Sequence, residues 1–302
     1  MNNILEELEK IAGKKNVLTK EPMKKHTTFR TGGEADYFVT VQEENVLAEL
    51  RTYLEKNKIP YYVIGNGSNL LFPDEGYAGV IIQIGRFPDD IRISDTAVTA
   101  GAGVKLSQLA NRAYQAGLTG MEFAAGIPGT VGGAVVMNAG AYGGEMKDIL
   151  VQAKVMDAQG NIFRLSRDEL DLSYRHSIIP EKALIVLEAD FLLQHGNPEE
   201  IKAVMNALAA KRREKQPLEY ASAGSTFKRP EGYFAGKLIE DAGLRGYRVG
   251  DAQVSEKHCG FVVNRGEATA KDVAQLISDV QNRVMDEFGV KLEPEVRMIG
   301  FE

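Results

Sequence analysis

Apolar and polar positions in the first third of the chain alternate between helical and strand-like spacing. A helix is predicted from apolar residues that share one face and end before Gly13, namely Ile4, Leu5, Leu8 and Ile11. Strand-like residues at 35–41 precede a second helical stripe at 44–56, and a short β-rich segment at 61–64 follows Pro60. This order predicts a βαβ-like unit of a layered α/β arrangement.

The same kind of spacing predicts further elements up to the C-terminus, except between Gly126 and Gly144. Strands are predicted at 80–84, 97–100, 149–156, 162–165, 183–193, 248–254 and 260–264, and helices at 104–116, 197–215 and 234–242. A final helix is predicted from the capping box of Thr269 and Asp272, before a closing strand at 291–299 that Pro294 interrupts. The chain has 302 residues, about twice the ~150 residues that are usual for one domain, so we expect two or three domains. The helix at 197–215 is expected to connect the C-terminal region to the two regions before it.

Composition excludes several classes of protein. The chain has 36 Lys and Arg against 42 Asp and Glu, a formal net charge of −6, which gives no electrostatic reason to bind a nucleic-acid backbone. The single cysteine, Cys259, rules out an intramolecular disulfide and a cysteine-based metal site. The N-terminus is acidic and amphipathic, and no run of ~18 apolar residues occurs. We therefore expect a cytoplasmic protein without a membrane span, a nucleic-acid partner or a metal.

Glycine is the one residue in excess, at 31 of 302, and it gathers in two loops. The first loop, residues 65–71, follows a predicted strand and has the sequence Gly-Asn-Gly-Ser-Asn-Leu-Leu. It lacks the third glycine of a Rossmann phosphate turn, because Leu70 takes that position. Two interpretations stay open: a nest of N–H groups that holds a pyrophosphate, and the turn of a β-hairpin.

The second loop has seven glycines among the nineteen residues from Gly126 to Gly144. Such a density is atypical of a helix or strand interior, so we predict an irregular loop. The loop is nearly free of charge and rich in backbone N–H groups, which need partners when they are buried. A flat, acceptor-rich ring that carries a diphosphate supplies such partners, and the loop therefore indicates a cofactor site.

Several catalytic signatures are absent from the sequence. It has no G-x-x-x-x-G-K-[ST], H-E-x-x-H, C-x-x-C or G-x-S-x-G motif, which removes support for ATPase, zinc-protease and serine-hydrolase interpretations. Of the four histidines only His258 lies in a polar cluster, and the sequence assigns it no chemistry.

Six motifs, in this order and spacing, resemble the UDP-N-acetylenolpyruvoylglucosamine reductase family. They are residues 65–71, 126–129 with 132–133, 138–143, 173–177 (Ser-Tyr-Arg-His-Ser), 223–228 (Ala-Gly-Ser-Thr-Phe-Lys) and 292–297 (Leu-Glu-Pro-Glu-Val-Arg). The resemblance extends from about Thr27 to Phe301. It implies an FAD enzyme that uses NADPH to reduce the enolpyruvyl ether of a UDP-sugar to UDP-N-acetylmuramate in peptidoglycan synthesis, and thereby serves cell-wall biogenesis, cell shape and cell division.

The resemblance also implies an α+β fold. This is the two-subdomain FAD-binding fold of the vanillyl-alcohol-oxidase (PCMH) type, followed by a C-terminal α+β substrate domain. The corresponding boundaries are 1–85 and 86–210 for the FAD-binding subdomains and 211–302 for the substrate domain. Noncovalent FAD is expected on Gly65, Asn66, Gly67, Ser68, Asn69, Leu70, Ala125, Gly126, Ile127, Pro128, Gly129, Val131, Gly132, Gly133, Asn138, Gly140, Ala141 and Tyr142.

Three residues match the family's catalytic positions, and the chemistry accounts for their types. Arg175 corresponds to the active-site arginine, whose guanidinium suits the enolate-like charge that develops once hydride has passed from flavin N5 to the vinyl carbon. Ser225 corresponds to the proton donor for the adjacent carbon. Glu295 corresponds to the acidic partner, and whether it orients the enol or the substrate stays open. Substrate contacts are expected from Tyr174, Lys215 and Lys228.

Two features depart from the family pattern. Arg229 stands where the family commonly has asparagine, and only 50 residues separate Arg175 from Ser225. The short interval indicates the branch of the family that lacks an inserted loop with a tyrosine over the substrate.

Two other functions stay open at this point. One is a flavin oxidase of the same fold that acts on an alcohol and uses oxygen, and the other is a flavin-free protein that binds a nucleotide sugar. Many such oxidases attach FAD covalently to His or Cys, and the glycine loops contain neither.

Overall fold

The structure is a computed structural model that describes residues 4–85 and 91–301. Within these ranges the α-helices are α1 (Ile4–Ala12), α2 (Glu44–Lys56), α3 (Leu106–Gln115), α4 (Val131–Met137), α5 (Met146–Ile149), α6 (Ile178–Glu181), α7 (Pro198–Lys215), α8 (Ala235–Asp241) and α9 (Ala270–Phe288). The strands are β1 (Val17–Pro22), β2 (Glu34–Val41), β3 (Tyr61–Ile64), β4 (Leu70–Leu71), β5 (Tyr77–Ile84), β6 (Ile91–Ser94), β7 (Ala97–Gly101), β8 (Leu118–Thr119), β9 (Gly140–Ala141), β10 (Gly144–Glu145), β11 (Leu150–Met156), β12 (Ile162–Ser166), β13 (Ile185–Leu192), β14 (Gln194–His195), β15 (Arg248–Val249), β16 (Ala252–Val254), β17 (Val262–Asn264) and β18 (Arg297–Met298).

The strands form several sheets of mixed type. The sheet of order β12-β11-β13-β7-β6 is antiparallel throughout. In the sheet of order β1-β2-β5-β3, the last two strands run parallel. The sheet of order β15-β16-β17 is antiparallel, and β4 pairs in parallel with β18. The mixture of helices with antiparallel and parallel strands is an α+β arrangement.

The chain divides into two compact units. The first consists of Met1–Thr19, Tyr37–Asn66 and Gly79–Ala210, and the second of Lys20–Asp36, Gly67–Ala78 and Lys211–Glu302. The second unit therefore combines the predicted substrate domain with two segments from near the N-terminus. The division into three domains at 1–85, 86–210 and 211–302 stays a prediction.

Each unit has its own hydrophobic core. In the first, Leu47, Leu50 and Leu54 on one face of α2 are fully buried with the inner side chains of β7, β11 and β13. In the second, the buried stripe of α9 packs with α8 and the β15-β16-β17 sheet, and Leu276 and Val280 are fully buried there. The cores follow the helical spacing that the sequence shows.

A buried arginine connects α2 by hydrogen bonds to other segments of the first unit. Arg51 is 1 % exposed, Nη1 donates to the carbonyl oxygen of Met156 at 2.8 Å, and Nε donates to the Tyr61 hydroxyl at 2.9 Å. Nη2 donates to the carbonyl oxygen of Ala183. The Tyr61 hydroxyl donates in turn to Glu55 at 2.7 Å, and burial together with this bond raises the tyrosine's pKa. The guanidinium is thus satisfied by neutral acceptors, as a buried cation requires.

The predicted helices are confirmed, including the capping box. Thr269 Oγ1 accepts the Asp272 N–H at 3.0 Å, Asp272 accepts the Thr269 N–H at 2.9 Å, and Gly289 ends α9 at φ +66°.

Three predictions from the pattern are wrong. The glycine-rich segment is not wholly irregular, because it contains α4 with Gly132 and Gly133 in its first turn. The strand predicted at 248–254 is a hairpin of β15 and β16 around Gly250, whose φ is +54°. The strand predicted at 291–299 is reduced to β18.

Candidate functional site

The first glycine loop is not a β-hairpin turn. It leaves β3, which pairs with β5, and enters β4, which pairs with β18. At the first-unit end of the loop, Asn66 Nδ2 donates to the carbonyl oxygen of Pro128 at 2.6 Å, so the loop is tied to the second glycine loop. The hairpin interpretation is therefore wrong, and the two glycine loops meet at Asn66.

At two positions of this loop the surrounding protein atoms leave no room for a side chain. Gly67 lies at φ +60°, and a Cβ there would overlap the carbonyl oxygen of His26. A Cβ on Gly65 would overlap the Thr130 hydroxyl. Both positions exclude a side chain before any ligand is considered.

The second glycine loop has fewer open backbone donors than its sequence predicts. The N–H groups of Val131 and Gly132 donate to the carbonyl oxygens of Val104 and Ala102, both at 2.9 Å. The loop is consequently held by backbone bonds to the segment before α3, and the expectation that its N–H groups need a ligand is wrong for these two. Gly133 differs from its neighbours, since it is exposed and a Cβ there would meet only the Thr130 hydroxyl, at 3.7 Å.

Asn138, at the end of α4, forms a hydrogen bond to the segment that carries Arg175. The residue is fully buried in the left-handed conformation at φ +41°. Its Nδ2 donates to the carbonyl oxygen of Ser173 at 3.0 Å, and its Oδ1 accepts the Lys147 N–H at 2.9 Å. The nearby Ser177 hydroxyl donates to the carbonyl oxygen of Val136 at 2.7 Å. These bonds fix the position of the Ser173–Ser177 segment against the second glycine loop.

Arg175 projects from a tight turn in this segment. Ser173 and His176 form an isolated antiparallel bridge, and Arg175 lies between them at φ +55°, which is strained for a non-glycine residue. Its Nη2 donates to the carbonyl oxygen of Gly140 at 3.3 Å, and its Cζ lies 5.0 Å from the centre of the Tyr174 ring. The first unit thus brings Arg175, Tyr174 and the 138–143 motif together. Tyr142 and Tyr174 are both about half exposed.

The second unit brings Ser225 and Glu295 together through Thr226. The Glu295 N–H donates to the carbonyl oxygen of Thr226 at 2.8 Å, and Phe227 forms a bridge with Pro294. Ser225 is exposed, whereas Thr226 beside it is fully buried. Asn69 joins the same group, because its Nδ2 donates to the carbonyl oxygen of Glu295 at 2.9 Å.

Two of the predicted substrate-binding cations lie in the second unit as well. Lys228 Nζ is 3.3 Å from the carboxylate of Glu293, and the Lys228 N–H donates to the carbonyl oxygen of Glu293 at 2.8 Å. Lys215 is exposed at the end of α7. Arg229 stacks its guanidinium 4.0 Å from the centre of the exposed Phe234 ring, and its Nε donates to the Tyr233 carbonyl oxygen at 3.3 Å. Sequence reasoning did not assign Arg229 a role.

The residues expected to hold FAD fit such a group. Beside the first glycine loop, the Thr28 N–H donates to the carbonyl oxygen of Gly67 at 3.2 Å. The Thr28 hydroxyl is buried and has no hydrogen-bond partner within residues 4–85 and 91–301. A buried hydroxyl without a partner is costly, and a polar atom of a bound cofactor would satisfy it. Gly133 in the other glycine loop is exposed and has no side chain to cover its backbone, so a ligand can approach it closely.

Within the residues that the structure describes, no group of three or more His, Cys, Asp or Glu side chains is placed to hold a metal ion. The described helices include none with the length and apolar character needed to cross a membrane. The single cysteine, Cys259, is buried as a free thiol, and burial raises its pKa.

Comparisons with known proteins match both halves of the chain. Residues 35–166 match the family model described as FAD binding domain, and residues 216–299 match the model described as UDP-N-acetylenolpyruvoylglucosamine reductase, C-terminal domain. The UDP-N-acetylenolpyruvoylglucosamine reductase of Agathobacter rectalis is 59 % identical over 94 % of both chains, and that of Clostridioides difficile is 52 % identical over 99 % of both.

A solved structure supports the same similarity. The crystal structure of the UDP-N-acetylenolpyruvylglucosamine reductase from Thermus caldophilus superposes with a TM-score of 0.79 at 38 % identity, and the match covers 92 % of this chain and 97 % of the other. The predicted α+β fold with an FAD-binding part and a separate C-terminal part is therefore confirmed.

Proposed function

This chain belongs to the UDP-N-acetylenolpyruvoylglucosamine reductase family, and from that premise we propose that it reduces UDP-N-acetylglucosamine enolpyruvate to UDP-N-acetylmuramate with bound FAD and with NADPH as reductant. The observation that best supports this proposal is the backbone ladder that holds Ser225 next to Glu295 through Thr226. A hydroxyl and a carboxylate on adjacent, hydrogen-bonded segments are the groups that a protonation step needs.

Bound FAD would supply the redox chemistry, which is hydride transfer from NADPH to the vinyl carbon of the substrate. The residues that we propose to hold it are those of the two glycine loops. Asn66 joins these loops, the Thr28 hydroxyl supplies an unsatisfied polar group beside one of them, and Gly133 keeps the other free of side chains. Neither loop contains His or Cys, so the binding is proposed to be noncovalent.

Arg175 is proposed to bind the substrate carboxylate as negative charge develops on it. The guanidinium is always cationic and presents donors in a planar fork that matches a carboxylate. Its Nη2 bond to Gly140 and its contact with the Tyr174 ring restrict its rotamers, so less side-chain entropy is lost when a ligand binds.

Ser225 is proposed to deliver a proton to the carbon adjacent to the one that receives hydride. Its backbone bridge to Phe261 and the bonds of Thr226 on its other side fix the position of its backbone in the second unit. Glu295 is proposed to orient the substrate or its enol, because its backbone is held by Thr226 and Asn69.

The remaining charged groups are proposed to bind the diphosphate of the nucleotide sugar. Lys215 and Lys228 are the proposed cations, and the ion pair with Glu293 keeps Lys228 near the Ser225 loop until a phosphate competes for it. The partners are thus a UDP-sugar and NADPH, without a nucleic acid. A cytoplasmic location is proposed because Cys259 is a free thiol, as is typical of proteins in a reducing compartment.

An anaerobic two-step experiment tests the proposal. The purified holoenzyme is first reduced with NADPH and then mixed with UDP-N-acetylglucosamine enolpyruvate, while the visible absorbance of the flavin is followed. We expect bleaching by NADPH and recovery on addition of the enolpyruvyl sugar. Bleaching of the flavin by an alcohol, with recovery only after admission of oxygen, would instead indicate a flavin oxidase. A colourless protein that binds the UDP-sugar but cannot be reconstituted with FAD would indicate a nucleotide-sugar binding protein.

A further inference from the structure

His258 lies in a turn in which its own ring accepts a backbone N–H. The N–H of Gly260 donates to His258 Nδ1 at 3.1 Å, and the N–H of His258 donates to the Ser255 hydroxyl at 3.2 Å. The ring packs edge-to-face on Phe261, with 5.0 Å between the centroids. It is also closely enclosed, because a Cβ on Gly260 would lie 3.0 Å from its Cε1 and one on Gly236 would lie 3.3 Å from it.

The turn that contains His258 is bonded directly to the proposed proton donor. The Thr226 N–H donates to the carbonyl oxygen of Gly260 at 2.9 Å, and Ser225 forms an antiparallel bridge with Phe261. The Thr226 hydroxyl accepts the Val262 N–H at 2.9 Å. The position of the Ser225 backbone therefore depends on Gly260 and Phe261, both of which contact the His258 ring.

The ring can accept the Gly260 N–H only while Nδ1 carries no proton. The neutral ring must then carry its proton on Nε2, because each neutral imidazole has one donor and one acceptor. An imidazolium would present an N–H to the N–H of Gly260 and lose the bond. The surroundings oppose protonation on balance. Burial lowers the pKa of His258 most, a bond to its own backbone raises it, and the cations of Arg245 and Lys215 lower it further.

The other groups near the ring do not reverse this effect. Arg245 is paired with the carboxylate of Glu240 at 2.7 Å and donates to the carbonyl oxygen of Glu256. Burial raises the pKa of the adjacent Cys259 thiol, which stays uncharged at neutral pH.

We infer that His258, as the neutral Nε2–H tautomer, is a positioning residue that holds Gly260 and Phe261 and thereby fixes Ser225 for proton delivery. The inference rests on the proposed function, because it takes the role of Ser225 from there. His258 itself need not touch the substrate.

Two substitutions separate the acceptor from the bulk of the ring. His258→Phe keeps a ring against Phe261 but removes the acceptor, whereas His258→Asn removes the ring but offers Oδ1, which commonly accepts the backbone N–H two residues on. We expect His258→Phe to slow flavin reoxidation by the enolpyruvyl sugar about tenfold or more, since a small misplacement of a catalytic group has a large effect. Flavin reduction by NADPH should stay within about threefold of wild type.

The asparagine variant should restore most of the lost rate and change its pH profile. We expect reoxidation within about threefold of wild type, without the acid-side decline that His258 protonation causes at a pH below the ordinary range of a histidine. Thermal denaturation and FAD content identify a variant that has failed to fold. Equal losses in both variants, or an acid-side decline that persists unchanged in His258→Asn, would overturn the inference.

The tautomer can be measured without any reaction. Ring ¹⁵N shifts of the four histidines, with His258 assigned by its absence from the His258→Asn spectrum, should show a bare Nδ1 and a protonated Nε2 at neutral pH. A protonated Nδ1 would overturn the inference whatever the enzyme catalyses. If the wild-type flavin is not reoxidised by the enolpyruvyl sugar at all, the proposed function fails and the inference fails with it, and that failure is recognised from the wild type alone.

Discussion

A Cβ on Gly132 would lie 2.9 Å from the Cβ of Ala102, closer than side chains normally approach. The Gly132 N–H also donates to the carbonyl oxygen of Ala102, so this glycine lets α4 pack against the segment before α3. Gly133, the next residue, has ordinary φ and space around it for a Cβ. The fold therefore explains one glycine of the pair and not the other, and we propose that a bound ligand requires the second.

We predict opposite effects of alanine at these two positions. Gly133→Ala should raise the stability of the FAD-free protein by up to about 1 kcal/mol, because alanine favours a helix, and should weaken FAD binding. Gly132→Ala should lower the stability of the same FAD-free protein by about 1–3 kcal/mol through overpacking. Thermal denaturation of the flavin-free protein and titration with FAD measure the two quantities. Unchanged FAD affinity in a well-folded Gly133→Ala protein would argue against a flavin on α4.

Gly67 is a second case in which the protein itself excludes a side chain. Its φ of +60° and the carbonyl oxygen of His26 leave no room for a Cβ. Gly67→Ala should therefore destabilise the protein by more than about 3 kcal/mol even without FAD, because it combines backbone strain with a steric clash. Loss of FAD in this variant would follow from the damaged loop and would not identify a flavin contact. Gly143→Ala is the control, since it has positive φ but no atom within 4 Å of its Cβ. An FAD-free Gly67→Ala protein as stable as wild type would contradict the prediction.

The sequence predicts those helices that are determined by the residues within and next to them. Helices α2, α7 and α9 follow from apolar spacing and capping residues, and the structure has them within a few residues of the expected bounds. Helix α4 was missed because two glycines in one turn oppose helix formation by intrinsic propensity. Tertiary bonds from Val131 and Gly132 to the segment before α3 override that propensity, and no local pattern reports them.

The residues of the candidate site are likewise held in place by residues that lie far from them in the sequence. Ser225 and Glu295 are joined through Thr226 although 70 residues separate them, and Arg175 is held by Asn138 and Gly140. No spacing rule connects such positions, so only the resemblance of the motifs selected these residues. The role of His258 was missed because its partner is a backbone N–H, and backbone contacts leave no signature in the sequence.

Arg51 is buried in the first unit, although arginine usually lies at the surface of a protein. It lies four residues after Leu47 and three before Leu54, so it shares their buried face. We predict that Arg51→Met will lower the free energy of unfolding by about 2–5 kcal/mol, because the carbonyl oxygens of Met156 and Ala183 lose their donors. Urea denaturation measures the change. Arg92→Met, which removes an exposed guanidinium paired with Glu188, should cost less than about 1 kcal/mol, and equal losses in the two variants would contradict the assignment.

Arg175→Lys should damage turnover although it conserves charge. A lysine cannot present two donors in a planar fork to a carboxylate, and it cannot keep the Gly140 bond at the same time. We expect the rate of flavin reoxidation by the enolpyruvyl sugar to fall about 10²-fold, the effect of removing one donor to a developing anion. FAD content and reduction by NADPH should be unchanged. Arg167→Lys, at an exposed arginine of the same unit, is the control, and a near-normal rate in Arg175→Lys would remove the proposed role.

Ser225 and Thr226 allow a proton-transfer role to be separated from a structural one. Ser225 is exposed and is bridged to Phe261 through its backbone, so Ser225→Ala should leave stability unchanged. Thr226 is fully buried and its hydroxyl accepts the Val262 N–H, so Thr226→Val should lower stability by about 1–3 kcal/mol.

Anaerobic stopped flow distinguishes the two half-reactions in the Ser225 variants. Bleaching of the flavin by NADPH needs no proton from Ser225, and Ser225→Ala should bleach within about threefold of the wild-type rate. Recovery on addition of the enolpyruvyl sugar should slow about 10²–10⁴-fold, the usual contribution of general-acid catalysis. Ser225→Cys should recover part of the rate, because a thiol of similar size still carries a transferable proton. If both phases slow equally in Ser225→Ala, or if neither does, the serine is a structural residue of its loop and the proton has another source.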